Sequence, residues 1–268
     1  MRSSSESYLK NEIISQSRHL FIYGYHDEKR EQLIKELEEE NPIRIDSNKP
    51  MAVYVEDFAL KKEDYDKTKV DRSHIQRISN EYLHFSIGHR IIQKTIQDVD
   101  VSIINERIKK LLDRINCYSK NSNNTSVQDI ESLERLLEES KKFYLRYFHK
   151  YIKGEPTPSI EEIAIPFMMI EQFVSDWKRT LQNTSHVGLI IEKKEPVEIE
   201  SIRSVNFLVG ARINGDISMK VVTEPEAWDT YHDFNGQLVE CVHDYGTVEL
   251  DNSVDEYMKK IKKGWWLK

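Results

Sequence analysis

The fold is decided by one stretch of sequence, Leu20-Phe21-Ile22-Tyr23-Gly24-Tyr25-His26-Asp27-Glu28-Lys29-Arg30-Glu31. Its first four residues are apolar or aromatic, as in a buried strand, and Gly24 ends the run. Residues 27–40 continue with an apolar stripe at helical spacing and with acids in the first turn, where the helix dipole favours negative charge. These features predict a strand, a glycine turn and a helix.

Further apolar runs supply the rest of a sheet. Residues 51–55 read Met-Ala-Val-Tyr-Val and follow the first strand after a single helix, which is the pattern of a βαβ unit with parallel strands. Residues 187–191 and 217–222 are two more apolar runs, and residues 240–250 fit a further strand. We therefore predict an α/β protein with a parallel sheet flanked by helices.

The segment between the second and third strands is helical in pattern from Ile75 to Gln182. We predict three parts: residues 1–72 form the N-terminal βαβ part of the core, and residues 73–183 form a helical insertion or subdomain. Residues 184–268 form the C-terminal part of the α/β core and end in a basic, aromatic helix.

Composition limits the classes of function. The chain has 39 Lys and Arg against 46 Asp and Glu, a net charge of -7, which argues against nucleic-acid binding through bulk charge but leaves room for a local basic patch. No apolar run approaches the roughly 20 residues that span a bilayer, and the N-terminus has no apolar signal core. Cys117 and Cys241 lie far apart, so we expect neither a disulfide framework nor a cysteine zinc site, and we expect a cytoplasmic protein.

The turn after the first strand aligns with a phosphate-binding loop. In such a loop, backbone amides cradle the phosphates, a lysine reaches the β- and γ-phosphates, and a serine or threonine hydroxyl holds Mg²⁺. Gly24 matches the first glycine, whereas Lys29, Arg30 and Glu31 occupy the positions of the second glycine, the lysine and the hydroxyl residue. Each replacement opposes ATP binding. An ordinary strand–glycine–helix junction gives the same pattern.

Two strand ends complete the comparison. The apolar run that ends in Glu192 and Lys193 aligns with a Walker B strand, in which an aspartate helps to hold Mg²⁺ and a glutamate activates water. Glu192 stands in the aspartate position, and a protonated Lys193 cannot act as the base. Thr223 ends the next strand, at the position that faces the γ-phosphate in AAA-like folds. Plain core strands with polar ends are the alternative for both.

Taken together, these segments resemble bacterial AAA ATPases related to the origin-recognition family, which grade into STAND signalling ATPases. The resemblance implies a P-loop NTPase-like core and a setting in bacterial stress or antiviral defence. It rests on residues 21–24, 53–57, 187–221, 224–231 and 243–245. The diagnostic Gly-Lys-Ser/Thr is absent, so ATP hydrolysis and DNA loading are not carried over.

The first hypothesis is a pseudo-ATPase that acts as a regulatory or scaffolding protein and needs a protein partner. It has no catalytic residue, and ATP and Mg²⁺ binding is weak or lost. The alternative is an active NTPase with a divergent site, in which Arg30 replaces the lysine and Glu192 holds Mg²⁺.

A third hypothesis is a nucleic-acid-binding subunit that uses Lys259–Lys263 with Trp265 and Trp266. The other interpretation of that segment is a terminal helix whose tryptophans cover the core. Among the nine histidines, His84 and His89 are five residues apart and no pair has metal-ligand spacing, so we predict no metal site.

Overall fold

The computed structural model describes residues 10, 12–66, 68–119, 127–159, 170–211, 215–241 and 243–250, and these include a five-stranded sheet. The strands are β1 (His19–Tyr23), β2 (Met51–Tyr54), β3 (Val187–Glu192), β4 (Ile217–Thr223) and β5 (Tyr245–Glu249). Their order across the sheet is β2-β3-β4-β1-β5, and every neighbouring pair is parallel. The predicted α/β class with a parallel sheet flanked by helices is therefore confirmed.

Helices cover both faces of this sheet. They are α1 (Asp27–Glu40), α2 (Arg72–Asp98), α3 (Val101–Arg107), α4 (Lys109–Ser119), α5 (Ile130–Ile152), α6 (Ile170–Leu181) and α7 (Ile199–Gly210). On one face, Leu33, Ile34 and Leu37 of α1 form a small core with Ile22 and Val222. The other helices share a larger core with the opposite face, because successive side chains of a strand point to opposite sides of the sheet.

The helical block between β2 and β3 shares this larger core with the sheet. Phe85 of α2, Tyr144 of α5 and Trp177 of α6 are fully buried in the same cluster as Val53 and Ile191 of the strands. The indole N–H of Trp177 donates to the Thr95 hydroxyl at 3.1 Å. The block that was predicted as residues 73–183 therefore packs directly on the sheet.

Several predicted boundaries shift for local reasons. The continuous helical pattern of residues 101–115 is broken at Ile108, whose carbonyl accepts hydrogen bonds from both Leu111 and Leu112. The helix after β3 begins at Ile199, because Val197 forms an antiparallel bridge with Lys61. The strand that was predicted within residues 240–250 is shorter, because β5 begins at Tyr245 and the Asp244 amide before it donates to the Glu240 carbonyl.

One lysine is buried within the sheet. Lys220 of β4 is inaccessible to solvent, and its ammonium donates to the carbonyls of Gln16 and Arg18 at 2.8 and 2.7 Å. These carbonyls belong to the segment that leads into β1, so the two hydrogen bonds of Lys220 hold that segment against the sheet. Burial lowers the pKa of Lys220 to about 7, because a low-dielectric environment disfavours the charged form.

We expect acid pH to destabilise the fold through His84 of α2, which is buried among helices and whose pKa is lowered by that burial to about 4. Between about pH 6.5 and pH 4 the unfolded chain binds a proton that the folded chain does not, so stability falls as the pH is lowered through this window. His84 contributes on the order of 3 kcal/mol to the free energy of unfolding.

Urea unfolding across this pH window tests the assignment. The His84→Leu variant should lose less free energy of unfolding than the wild type as the pH is lowered. The exposed His243 gives the control His243→Leu, which should follow the wild type. Equal slopes for all three proteins would contradict the assignment.

Candidate functional site

The candidate site lies at the carboxyl edge of the sheet, where β1, β3 and β4 end side by side. Tyr23 of β1 pairs in register with Thr223 of β4, and Glu192 of β3 pairs with Val222. Ligands of parallel α/β sheets bind outside this edge, at the carboxyl ends of the strands. The sequence-predicted Gly24, Glu192 and Thr223 all lie here.

The turn from β1 into α1 is short. It consists of Gly24, Tyr25 and His26, and the helix already begins at Asp27. The backbone amides of Lys29 and Arg30 donate to the His26 carbonyl at 3.1 and 3.2 Å. In a phosphate-binding loop the amides near the lysine point to the phosphates. Here these two amides are committed to the first turn of the helix.

Gly24 is required for close packing of the protein chain on itself. Its amide donates to the Thr223 carbonyl at 3.1 Å. A Cβ atom at this position would lie 3.1 Å from Cδ1 and 3.3 Å from Cβ of Leu250, which is tighter than most contacts of real Cβ atoms. The glycine that was predicted from a phosphate-loop pattern is therefore explained by its own neighbours in the fold.

The side chain of Arg30 fills the turn. Arg30 is 1% exposed, and its Nη1 donates to the Gly24 carbonyl at 2.5 Å. Its Nε donates to Glu192 Oε1 at 3.3 Å, and its Nη2 donates to Asp27 and lies 3.7 Å from a Glu224 carboxylate oxygen. The guanidinium group thus has three carboxylates and one carbonyl around it.

Glu192 is held by two cations. Its side chain is 1% exposed and contacts Arg30 on one side and Lys194 Nζ, at 3.2 Å, on the other. Lys194 also donates to Glu31 at 2.8 Å, and this hydrogen bond raises the pKa of Lys194 and lowers the pKa of Glu31. Burial, assisted by the negative charge of Glu192, raises the pKa of Tyr54 to about 12.

Lys193, in the position of a Walker B base, is fixed by a different set of contacts. It is 8% exposed, and its ammonium donates to the Ala227 carbonyl and, at 2.6 Å, to the Asp229 carboxylate. An ammonium that is hydrogen-bonded to a carboxylate has no lone pair with which to accept a proton. The side chain therefore links the end of β3 to the segment after β4.

Thr223 and Lys29 do not join this cluster. Alternation along the strands places Thr223 on the face of Val221 and Glu192 on the opposite face with Ile190. The Thr223 hydroxyl is buried and has no hydrogen-bond partner among the described residues. Lys29 is an exposed residue of the first turn of α1. Of the sequence-predicted site residues, the structure brings together Gly24, Arg30 and Glu192.

Sequence reasoning missed the partners of the central arginine. Asp27 was interpreted only as one of the acids in the first turn of the helix, whereas it is an ion-pair partner of Arg30 three residues later on the same helix. That spacing is a visible signal, because residues three apart on a helix are neighbours. Glu224 and Lys194 follow strand ends, and no local pattern connects them with α1.

The described residues hold no group of three or more His, Cys, Asp or Glu side chains that could bind a metal ion. No model of a protein family, no curated protein and no solved structure matches the chain. Among the helices of the described part, none combines the length and the apolarity needed to cross a membrane. The basic and aromatic segment 259–266 lies outside the described residues.

We expect Arg30→Ala to destabilise the protein by about 3–5 kcal/mol, because it leaves the buried Glu192 with only the partly exposed Lys194 as a cation. Urea unfolding measures the difference. Lys35→Ala, at an exposed position of the same helix, is the matched control and should change stability by about 0.5 kcal/mol or less.

The double variant Arg30→Met with Glu192→Leu distinguishes a charge effect from a packing effect. Removing both charges together should cost less than the sum of the two single substitutions, because neither charge is left buried alone. Strict additivity would show that the two side chains are not energetically coupled.

Proposed function

We propose that this protein is a degenerate relative of AAA/STAND-type P-loop ATPases that does not hydrolyse ATP and acts as a regulatory or scaffolding interaction protein. One observation carries the proposal. The guanidinium of Arg30 lies in the turn where the phosphates of ATP would lie in such an ATPase, and it is bonded to Gly24, Asp27 and Glu192.

The strand arrangement supports the P-loop part of the proposal. β1, which carries the loop-like turn, lies next to β4, which carries Thr223, and β3 with Glu192 lies one strand further. All three strands are parallel and end at one edge. This arrangement is compatible with a Walker A strand, a sensor strand and a Walker B strand.

The charges at this edge support the loss of ATP binding. A bound triphosphate needs free amides and uncompensated positive charge. Arg30 is already surrounded by carboxylates, Glu192 is shared between Arg30 and Lys194, and Lys193 is bonded to Asp229. The exposed acids Asp27 and Glu28 add repulsion.

The exposed part of the turn supports an interaction role. Tyr25 is 64% exposed, one of three large hydrophobic side chains that are exposed in the described part of the chain. Tyrosine is among the residues that contribute most to protein–protein binding energy. A partner that docks at the carboxyl edge would cover Tyr25 and contact the acids around it. Bacterial stress or antiviral defence is the setting that the family resemblance suggests.

Calorimetric titration with ATP and Mg²⁺ tests the loss of nucleotide binding. We expect no Mg²⁺-dependent binding, because the ligand would have to break the Arg30–Glu192 pair first. Submicromolar, Mg²⁺-dependent binding that is weakened by Glu192→Gln and abolished by Arg30→Ala would support the active NTPase instead.

Affinity purification from the native host tests the interaction role. A specific protein should co-elute with the wild type and be lost with Tyr25→Ala and with Glu28→Lys, both at exposed positions. Leu238→Ala is the matched control, because Leu238 is 53% exposed on another loop, and it should retain the partner. A partner that is lost only with Leu238→Ala would contradict docking at the carboxyl edge.

A further inference from the structure

A second surface, away from the carboxyl edge, carries an unusual concentration of cations. An open groove of about 760 Å³ lies between α4 and α6. Its charged lining residues are the basic Arg107, Lys109, Lys110, Arg114 and Arg179 and the acidic Glu106, Asp113 and Asp176. From this groove we infer a further activity: it binds the phosphodiester backbone of a nucleic acid.

The carboxylate of Asp176 orients two of the arginines. Asp176 of α6 is 7% exposed, and its two carboxylate oxygens accept hydrogen bonds from Arg114 at 2.5 Å and from Arg179 at 3.3 Å. The arginine side chains themselves are 51% and 74% exposed. One buried carboxylate thus orients two accessible guanidinium groups and neutralises only one of their two charges, and a guanidinium has further N–H donors for phosphate oxygens.

Two lysines of the groove can bind a ligand without first breaking an ion pair to another described residue. Lys109 and Lys110 begin α4 and are exposed, and neither has an ion-pair or hydrogen-bond partner among the residues that the structure describes. Lys110 and Arg114 are four residues apart, so they lie on the same side of the helix one turn from each other. Arg107 completes the row and forms a two-pronged, partly exposed pair with Asp46 at 2.8 and 2.9 Å.

The lining favours a nucleic-acid backbone over a protein or a small molecule. A protein interface is anchored by apolar and aromatic side chains, and the one large apolar side chain of this lining, Leu111, is 1% exposed. Small-molecule sites are enclosed and mostly apolar. Lys and Arg that face an open groove are the groups that contact phosphates, and without an aromatic platform the bases are not read.

The net charge of the whole chain determines how the groove must bind a nucleic acid. A net charge of -7 opposes a polyanion at long range, so binding must come from local contacts and must weaken steeply with salt. Glu106 and Asp113 oppose the ligand within the groove itself. Their removal should therefore strengthen binding, which a purely structural role of the groove does not predict.

Fluorescence anisotropy of the full chain with labelled double-stranded DNA of about 20 base pairs, in about 50 mM salt, tests the inference. We expect binding that weakens with added salt, a loss of roughly tenfold or more with Lys109→Glu and Lys110→Glu combined, and a gain with Glu106→Gln and Asp113→Asn combined. Lys35→Glu with Lys69→Glu is the matched control, because it makes the same change in net charge at two exposed lysines elsewhere. The control should keep most of the affinity, and thermal unfolding followed by circular dichroism should be similar for all variants.

Four results would overturn the inference. They are the absence of binding at low salt, an equal loss in the control variant, a loss seen only when residues 259–268 are deleted, and polyglutamate binding as tight as that of DNA. The last result would assign the groove to an acidic protein segment. The third would assign nucleic-acid binding to the C-terminal basic segment.

Discussion

The buried ion pair between Arg30 and Glu192 is the interaction on which the carboxyl edge of the sheet depends. It joins the first turn of α1 to the end of β3, and the same guanidinium reaches the end of β1 through the Gly24 carbonyl. Arg30 is the second-largest of the fully buried side chains of the described core, so its charge is removed almost completely from water. Such a charge is tolerated only because several acceptors surround it.

Under the proposed function, that arrangement would exclude a competing ligand such as ATP. A phosphate group would have to replace carboxylates that are already in place and fixed by the fold. Breaking a buried pair of this kind costs about 3–5 kcal/mol, which corresponds to a loss of roughly two to four orders of magnitude in affinity before any new contact forms. In a P-loop ATPase the lysine binds the phosphates, whereas the partners of Arg30 all lie within its own chain.

Much of the fold is visible in the sequence, because the period of the apolar residues reports which face of an element is buried. The bounds of α1 agree with the predicted residues 27–40, since an acidic first turn and Leu33, Ile34 and Leu37 mark one helix. The break at Ile108 was not visible in the sequence, because the apolar spacing continues across it.

The residues of the site were found by motif, but the contacts between them were not. Glu192 and Glu224 contact Arg30 across 162 and 194 positions of sequence. Local patterns carry no information about such contacts.

The order of the strands has a consequence for how the chain reaches its native state. β1 lies near the beginning of the chain, yet both of its neighbours, β4 and β5, begin at residues 217 and 245. During synthesis, β1 is an apolar strand with unpaired backbone groups, and it lacks both neighbours until residues 217–249 have left the ribosome. The helical block between β2 and β3, rich in short-range contacts, has time to form before it. Unpaired strands of this kind are the surfaces that associate wrongly in incompletely folded chains.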